Sequence, residues 1–322
     1  MMMPIAPMIL TPAWRHGSLT PWGGDRLHSL FGKASPGPMA GESLELSAIP
    51  GLESRDAEGR TLPQLLERFG ARLAGTRVGS PFPLLLKLID ARERLSVQVH
   101  PDDQYAGLHH GKLGKNEAWA ILACDQGAQL VIGLLEGVTK EALHAASLAG
   151  KGVEKLLRTV EVAPGDVFYI PAGTVHAIGA GIVLYEIQQT SDVTYRLYDW
   201  GRTGPDGKGR ELHLAQSLDV VDLGSAPQKA QPRVLGAGAQ GIRERLLDTP
   251  FFVLDRLRDC KQLRLKPDPE RFAALTALEA LSLSWAEGGI HLAAGQTALL
   301  PADGFPLDVT GRSALLAKPG LS

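Results

Sequence analysis

The amino-acid sequence predicts a mainly β protein, with two β-barrel or jelly-roll domains and a few helices. Three observations predict it. The 322 residues include 37 glycines and 22 prolines without a collagen-like period, which implies many turns. Short apolar or alternating runs recur from residue 83 to the end. One stretch rich in Gly, Pro and Ala, residues 224–241 (GSAPQKAQPRVLGAGAQG), reads as a linker between a longer and a shorter unit. The boundary is set at 235/236. Residues 1–235 then form one unit with inserted helices, and residues 236–322 form a smaller β-unit. The length suits about two domains of roughly 100–200 residues.

The elements follow in chain order. Thr61-Leu-Pro-Gln64 has the form of a capping box, with Pro63 in the first helical turn. Leu62, Leu65, Leu66, Phe69 and Leu73 share one helical face, and Gly75 is the expected stop. Pro83 introduces LLLKLIDARERLSVQVHP, first near-continuously apolar like a buried strand, then alternating. Residues 117–123 and 128–134 read as further strands, and 139–149 as a helix capped by Thr139. Residues 160–190 are dense in strand signals broken by Pro-Gly and Gly-Thr turns. Residues 211–221 are a helical candidate with Leu212, Ala215, Leu218 and Val221 inward. After the linker, a series of short strand-like pieces forms the second β-unit. That unit has one histidine, His291, and no metal-ligand cluster.

Composition removes several function classes. With 44% hydrophobic and 21% charged residues, the chain is globular rather than disordered. A formal charge of −2 gives no reason to expect a nucleic-acid partner or an anionic membrane, although a local basic pocket for a small anion is compatible with it. Cys124 and Cys260 cannot build a disulfide framework or a multi-Cys zinc site. The opening MMMPIAPMIL has no basic n-region and no clear cleavage site, and Pro interrupts it. No run reaches the ~20 apolar residues of a membrane helix. The expected compartment is the cytoplasm.

Two segments carry chemistry. In Gln98-Val99-His100, a period of two puts both polar side chains on one strand face, while the other face is apolar. The polar face must meet water, a polar cavity or a metal. In Gly165-Asp-Val-Phe-Tyr-Ile-Pro171-Ala-Gly173-Thr-Val-His176, a strand lies between a tight turn at Gly165 and a bend at Pro171 and Gly173. His176 then opens the next strand facing inward. This G-x5-P-x-G-x2-H spacing resembles the second motif of the cupins, small β-barrels that bind a metal inside. Ala180 stands where that motif usually ends in Asn. In ordinary cupins the first motif supplies His-x-His and then Glu. Here Gln98 takes the place of the first His, and the nearest matching carboxylate, Glu117, lies beyond the loop PDDQYAGLHHGKLGKN. Gln98, His100, Glu117 and His176 form a mixed nitrogen and oxygen set that suits Zn²⁺ or a similar ion with an open position.

With these motifs in view, VQVHPDD, GKNEAW, GDVFYIPAGTVHAIGAG and YEIQQTSDVTYRLYDWGR resemble the type I phosphomannose isomerases, particularly the short bacterial form. WGG at 22–24 and GESLELS at 41–47 resemble that family's N-terminal segments. Motif-level likeness runs from about Trp22 to Leu223 and is weaker beyond. The resemblance implies two cupin-like domains, the smaller one without metal. It implies one Zn²⁺ per chain on Gln98, His100, Glu117 and His176. The activity it implies is interconversion of mannose 6-phosphate and fructose 6-phosphate, with Lys115, Glu186 and Arg196 around the substrate. The family's fold and metal chemistry then suggest Glu186 or Lys115 as acid/base and Arg196 as an electrostatic clamp. Gly114 departs from relatives with a His before the Lys of this loop, and the chain has no room for the extra helical domain of longer relatives.

Blander readings stand beside these. Arg196 could simply pair with Asp192 or Asp199, Arg202 reads as solvated, and His109 and His110 read as exposed loop residues. Tyr105 and Trp119 read as packing. Two other functions compete: an Fe(II) cupin dioxygenase, against which the Gln ligand counts, and a non-catalytic sugar-binding cupin. The expected partner is a small hexose 6-phosphate. The sequence leaves a monomer and a homodimer both open.

Overall fold

The structure is a computed structural model that describes residues 3–203 and 207–321; Met1 and Met2 of the opening segment lie outside the described residues. The first unit is a jelly roll of two open antiparallel sheets. One has six strands in the order Ala13–Arg15, Glu42–Leu46, Leu84–Ala91, Ile182–Gln189, Glu117–Cys124 and Val167–Ile170. The other has five, in the order Tyr195–Tyr198, Val97–Val99, His176–Ile178, Gln129–Leu134 and Leu157–Glu161. The two sheets face each other. Ile89, Trp119, Ile121 and Leu184 from the first pack with Leu130, Ile132 and Ile178 from the second.

The outer faces are covered as well, which explains the near-continuous apolar runs. Every residue of Leu84–Ala91 and Ile182–Gln189 is buried. Their outer side chains, among them Leu86, Leu88, Tyr185 and Ile187, join Phe252, Leu254, Phe272 and Leu315 of the second unit in one core. An antiparallel sheet normally shows alternation because one face is wet; here the outer face packs on the second unit and the inner face is enclosed between the two sheets. The outer face of the five-stranded sheet is covered by Leu143 of helix Lys140–Leu148 and by Leu214 and Leu218 of helix Leu214–Val220.

The capping box at Thr61 and Gln64 is formed in both directions. The expected single helix is broken at Gly70, whose φ is 52°, into Leu62–Phe69 and Ala71–Ala74. Thr139 caps its helix as expected. The helix near residue 214 begins later than the sequence suggests. Its buried stripe is Leu214, Ser217, Leu218 and Val221, and Ala215 is exposed. The linker reading also needs correction, since Arg233–Gly238 forms an exposed edge strand paired with Gly241–Asp248.

The second unit is built on a nine-stranded sheet dominated by two long paired strands, Phe252–Leu265 and Leu307–Pro319. Four of the expected short pieces merge in pairs into these two, and Ala273–Ala277, Leu281–Trp285 and Thr297–Leu300 stand as separate short strands. Met8–Leu10, from the opening of the chain, is an edge strand of this sheet, with Met8 opposite Leu299. Cys124 and Cys260 are both free thiols. Among the described residues no helix is long and apolar enough to cross a membrane.

Candidate metal centre and cavity

Strand register brings the sequence candidates together. His176 lies directly opposite Gln98, and Gln98 in turn lies opposite Arg196 on the five-stranded sheet. Across the gap, the six-stranded sheet presents Glu117 at the head of its strand, and Glu186 opposite Trp119. Gly173, with φ of 85°, makes the bend that turns His176 inward; a Cβ there would lie 3.1 Å from the Val220 carbonyl oxygen.

His100, Glu117 and His176 are each about 1% exposed, and one donor atom from each lies within 4.8 Å of the others. Both imidazoles have fixed tautomers. His100 Nδ1–H donates to the Val193 carbonyl at 3.0 Å, and His176 Nδ1–H donates to the Thr174 carbonyl at 2.8 Å. Each Nε2 lone pair therefore points to the shared centre, the arrangement of a metal-binding histidine with its outer hydrogen bond in place. Burial, reinforced by the Lys115 charge, pushes the His100 pKa down to about 3, and burial also lowers that of His176. Burial alone would raise the Glu117 pKa, but Lys115, His100 and His176 outweigh it and hold the carboxyl well below its usual range. The donors thus stand in the protonation states a cation requires.

Two further observations fit a cation at this point. Neither Glu117 carboxylate oxygen has a well-oriented hydrogen bond, although both are buried. Among the described residues, the only cationic side chain in contact is the Lys115 ammonium, 2.9 Å from Glu117 Oε2 and 3.0 Å from His100 Nε2. Such a buried carboxylate is costly without a charged partner. The Gln98 amide lies 3.2 Å from His176 Nε2. A half-turn of this amide exchanges its nitrogen for its oxygen, giving the set a fourth donor.

The centre opens into a cavity of ≈ 320 Å³. Its walls include Glu186 and Arg196, as well as four charged groups that sequence reasoning did not single out: Arg15, Glu42, Lys87 and Arg210. Three of these form a buried relay: Arg15 pairs with Glu42 at 3.2 Å, and Lys87 lies 3.6 Å from Glu42 and 3.4 Å from Glu186. Burial raises the Glu186 pKa, and the neighbouring Glu117 charge adds to this; Lys87 opposes the rise without cancelling it. Burial also acts on Glu42, but Lys87, Arg15 and Lys115 together hold it below the ordinary value.

Arg196 makes no ion pair with Asp192 or Asp199. It donates from Nη1 to the Glu211 carbonyl at 2.8 Å, and its Nε–H is buried without a partner. Asp199 is instead occupied by Arg202 and Arg210. Arg202 also donates to the Arg94 carbonyl, so it is anchored rather than solvated. His109 and His110 end a helix, Asp103–His110, within the segment read as a loop. His109 stacks on Tyr105, and His110 bonds the Tyr195 hydroxyl at 2.6 Å. Trp119 is packed against His176 and fully buried.

Comparison with known proteins decides the family. The profile of "Phosphomannose isomerase type I, catalytic domain" matches residues 20–120. A mannose-6-phosphate isomerase of Streptococcus mutans is 42% identical over 238 residues, covering 72% of this chain and 73% of that protein. The chain belongs to the type I mannose-6-phosphate isomerase family. Another member, from Bacillus subtilis, is 44% identical over 213 residues, 65% of this chain and 66% of its own length. The likeness extends to the whole architecture: the crystal structure of mannose 6-phosphate isomerase from Bacillus subtilis matches with a TM-score of 0.89 and 31% identity, covering 98% of this chain and 99% of that one. A putative mannosephosphate isomerase from Archaeoglobus fulgidus shares the fold at a TM-score of 0.79 and 22% identity. This is an isomerase family, which sets aside the dioxygenase and non-catalytic readings of the sequence.

Proposed function

We propose that this family member interconverts mannose 6-phosphate and fructose 6-phosphate by moving a proton between C1 and C2. We further propose that it does so with one Zn²⁺ held by Gln98, His100, Glu117 and His176. The single observation that carries the reading is the buried Glu117 carboxylate, without an oriented hydrogen bond, at the focus of two imidazole lone pairs. Two imidazoles with two oxygen donors suit zinc. When bound, zinc supplies Lewis-acid polarisation of the substrate's oxygens at the reacting carbons.

The remaining work falls to side chains of the cavity. Glu186 carries the proton between the two carbons. Its pKa, raised chiefly by burial, suits a carboxyl that must both take and give a proton. Lys87, 3.4 Å away, orients its carboxylate. Lys115 donates to substrate oxygens and is the second member of the proton-transfer pair. Arg196 turns its unpartnered Nε–H toward the charge that develops on the enediol, and Arg210, on the same wall, adds positive potential for an anionic sugar. Trp119 and Ile89 form dry walls that strengthen these interactions. The division at 235/236 into a metal-holding unit and a metal-free unit belongs to this proposal, with Met8–Leu10 lent to the second sheet. Two free cysteines accord with a cytoplasmic setting.

The test is conversion of mannose 6-phosphate in deuterated water by the zinc-loaded protein. The proposal expects fructose 6-phosphate, with solvent deuterium entering at C1 or C2. It also expects Glu186→Gln to retain its metal and to lose turnover by ~10²–10⁴-fold. Full turnover in that variant would remove Glu186 from the mechanism.

A further inference from the structure

The second unit carries a separate cavity, of ≈ 40 Å³. By register, Lys318 lies opposite Val253, and Leu316 lies opposite Asp255. Arg243 lies opposite Leu257. Alternation therefore puts Arg243 and Lys318 on the sheet face that carries the core residues Leu257 and Leu316. Lys266 and Arg271 complete the cationic lining, and Asp268 is the only acid in it. The mouth of a β-barrel or sandwich is a common place for small-molecule sites.

The charge balance at this mouth is unusual. Arg243 is paired with the buried Asp255, and Arg271 with Asp268 at 3.0 Å. Arg271 also donates to the Pro319 carbonyl at 2.7 Å. Lys318 and Lys266 have no hydrogen bond or ion pair among the described residues, so two positive charges are left over. Lys266 is exposed and met by water. Lys318 is half-buried, and its pKa is lowered by burial and then by Arg243 and Arg271, against a smaller opposing pull from Asp268 and Asp255. A half-buried ammonium that shares a cavity lining with two guanidiniums and has no partner of its own is destabilising by itself. Apolar side chains, among them Pro7, Leu300 and Phe305, make up other parts of the cavity lining.

We infer that this cavity is an anion-binding site, with Lys318 as its central cation and a compact oxyanion as its ligand: free inorganic phosphate or the phosphoryl head of a sugar phosphate. The volume admits little more than such a head, since a single water needs about 10–15 Å³ on the same measure. Arg243 and Arg271 spend donors on Asp255, Asp268 and the Pro319 carbonyl, which holds both side chains in place; a ligand therefore meets one free lysine and the remaining N–H groups of two ordered guanidiniums. None of these residues lines the catalytic cavity, so the inference stands independently of the isomerase mechanism.

The experiment is calorimetric titration of the full-length, metal-loaded protein with inorganic phosphate, alone and in a saturating equilibrium mixture of mannose 6-phosphate and fructose 6-phosphate. A parallel titration with the sugar phosphates counts their own sites. One phosphate equivalent that persists in the sugar mixture and weakens at least ~10-fold in Lys318→Met identifies free phosphate as the ligand. Loss of that equivalent, with two sugar phosphates bound per wild-type chain and one per Lys318→Met chain, identifies the phosphoryl head. Stoichiometries that Lys318→Met leaves unchanged in both arms overturn the inference. Melting in anion-free buffer guards against a merely structural lysine. Lys318→Met and Lys318→Gln are expected to melt at or above wild type, and to lose the upward shift that phosphate gives in the sugar mixture. A lower anion-free melting temperature with that shift retained also overturns it.

Discussion

Lys87→Met tests the buried relay most sharply. Lys87 is 5% exposed at its side chain and is the cation between Glu42 and Glu186. Its loss affects the two carboxylates differently. Glu42 keeps Arg15 at 3.2 Å, whereas Glu186 has no other ion pair among the described residues. Removing one partner of a buried pair costs about 3–5 kcal/mol. With only Glu186 stranded, the lower end, ~3 kcal/mol, is expected. For a protein of this size that is a fall in Tm of roughly 4–5 °C. The sign of the pH dependence follows from the raised pKa of Glu186 in the folded state. Below the unfolded carboxyl value of about 4.3 the group is neutral in both states and costs nothing. As pH rises through the folded value, the buried charge must form and stability is lost. Lys87→Met raises the folded value further, so the variant loses more stability at pH 8 than at pH 5.5. Urea unfolding at the two pH values measures this. The double variant Lys87→Met/Glu186→Gln removes the stranded charge and is expected to recover most of the stability but no turnover. A pH-independent loss, or a double variant as unstable as the single, would refute the reasoning.

Further predictions follow from the same geometry. Arg196→Ala lowers kcat by ~10²–10³-fold with the metal content unchanged; steady-state kinetics with metal analysis checks both, and near-wild-type turnover would end the clamp role. Arg210→Met raises KM for the sugar phosphate more than it lowers kcat, read from the same kinetics. Thr61→Ala removes one half of the capping box and costs ~1 kcal/mol in denaturant unfolding, with activity untouched.

Much of the site was legible because its parts lie on short, strongly patterned segments. The Gln98–His100 period and the turn-strand-bend before His176 each announce an inward polar face in an apolar setting. Glu117 needed only the assumption that one carboxylate completes the set. Lys87 carried a readable signal as well, since a lone charge inside LLLKLI cannot face a dry core. Arg15 and Arg210 had none. Their place in the cavity depends on which strands and loops lie side by side, and no local spacing encodes that. The same reason hid the strand Met8–Leu10, whose partner is nearly 290 residues away in sequence. The merging of short C-terminal pieces into Phe252–Leu265 and Leu307–Pro319 was obscured by bulges and polar interruptions, such as the register shift between Lys261 and Leu263.

The central claim is that turnover depends on an ion held by Gln98, His100, Glu117 and His176. The most direct measurement is a coupled assay for fructose 6-phosphate formation on the purified protein as isolated, after chelation, and after zinc is returned, with the metal content measured at each stage. Activity is expected to be lost on chelation and to return with one zinc per chain, in wild type but not in Glu117→Gln. Unchanged turnover in fully chelated protein would contradict it.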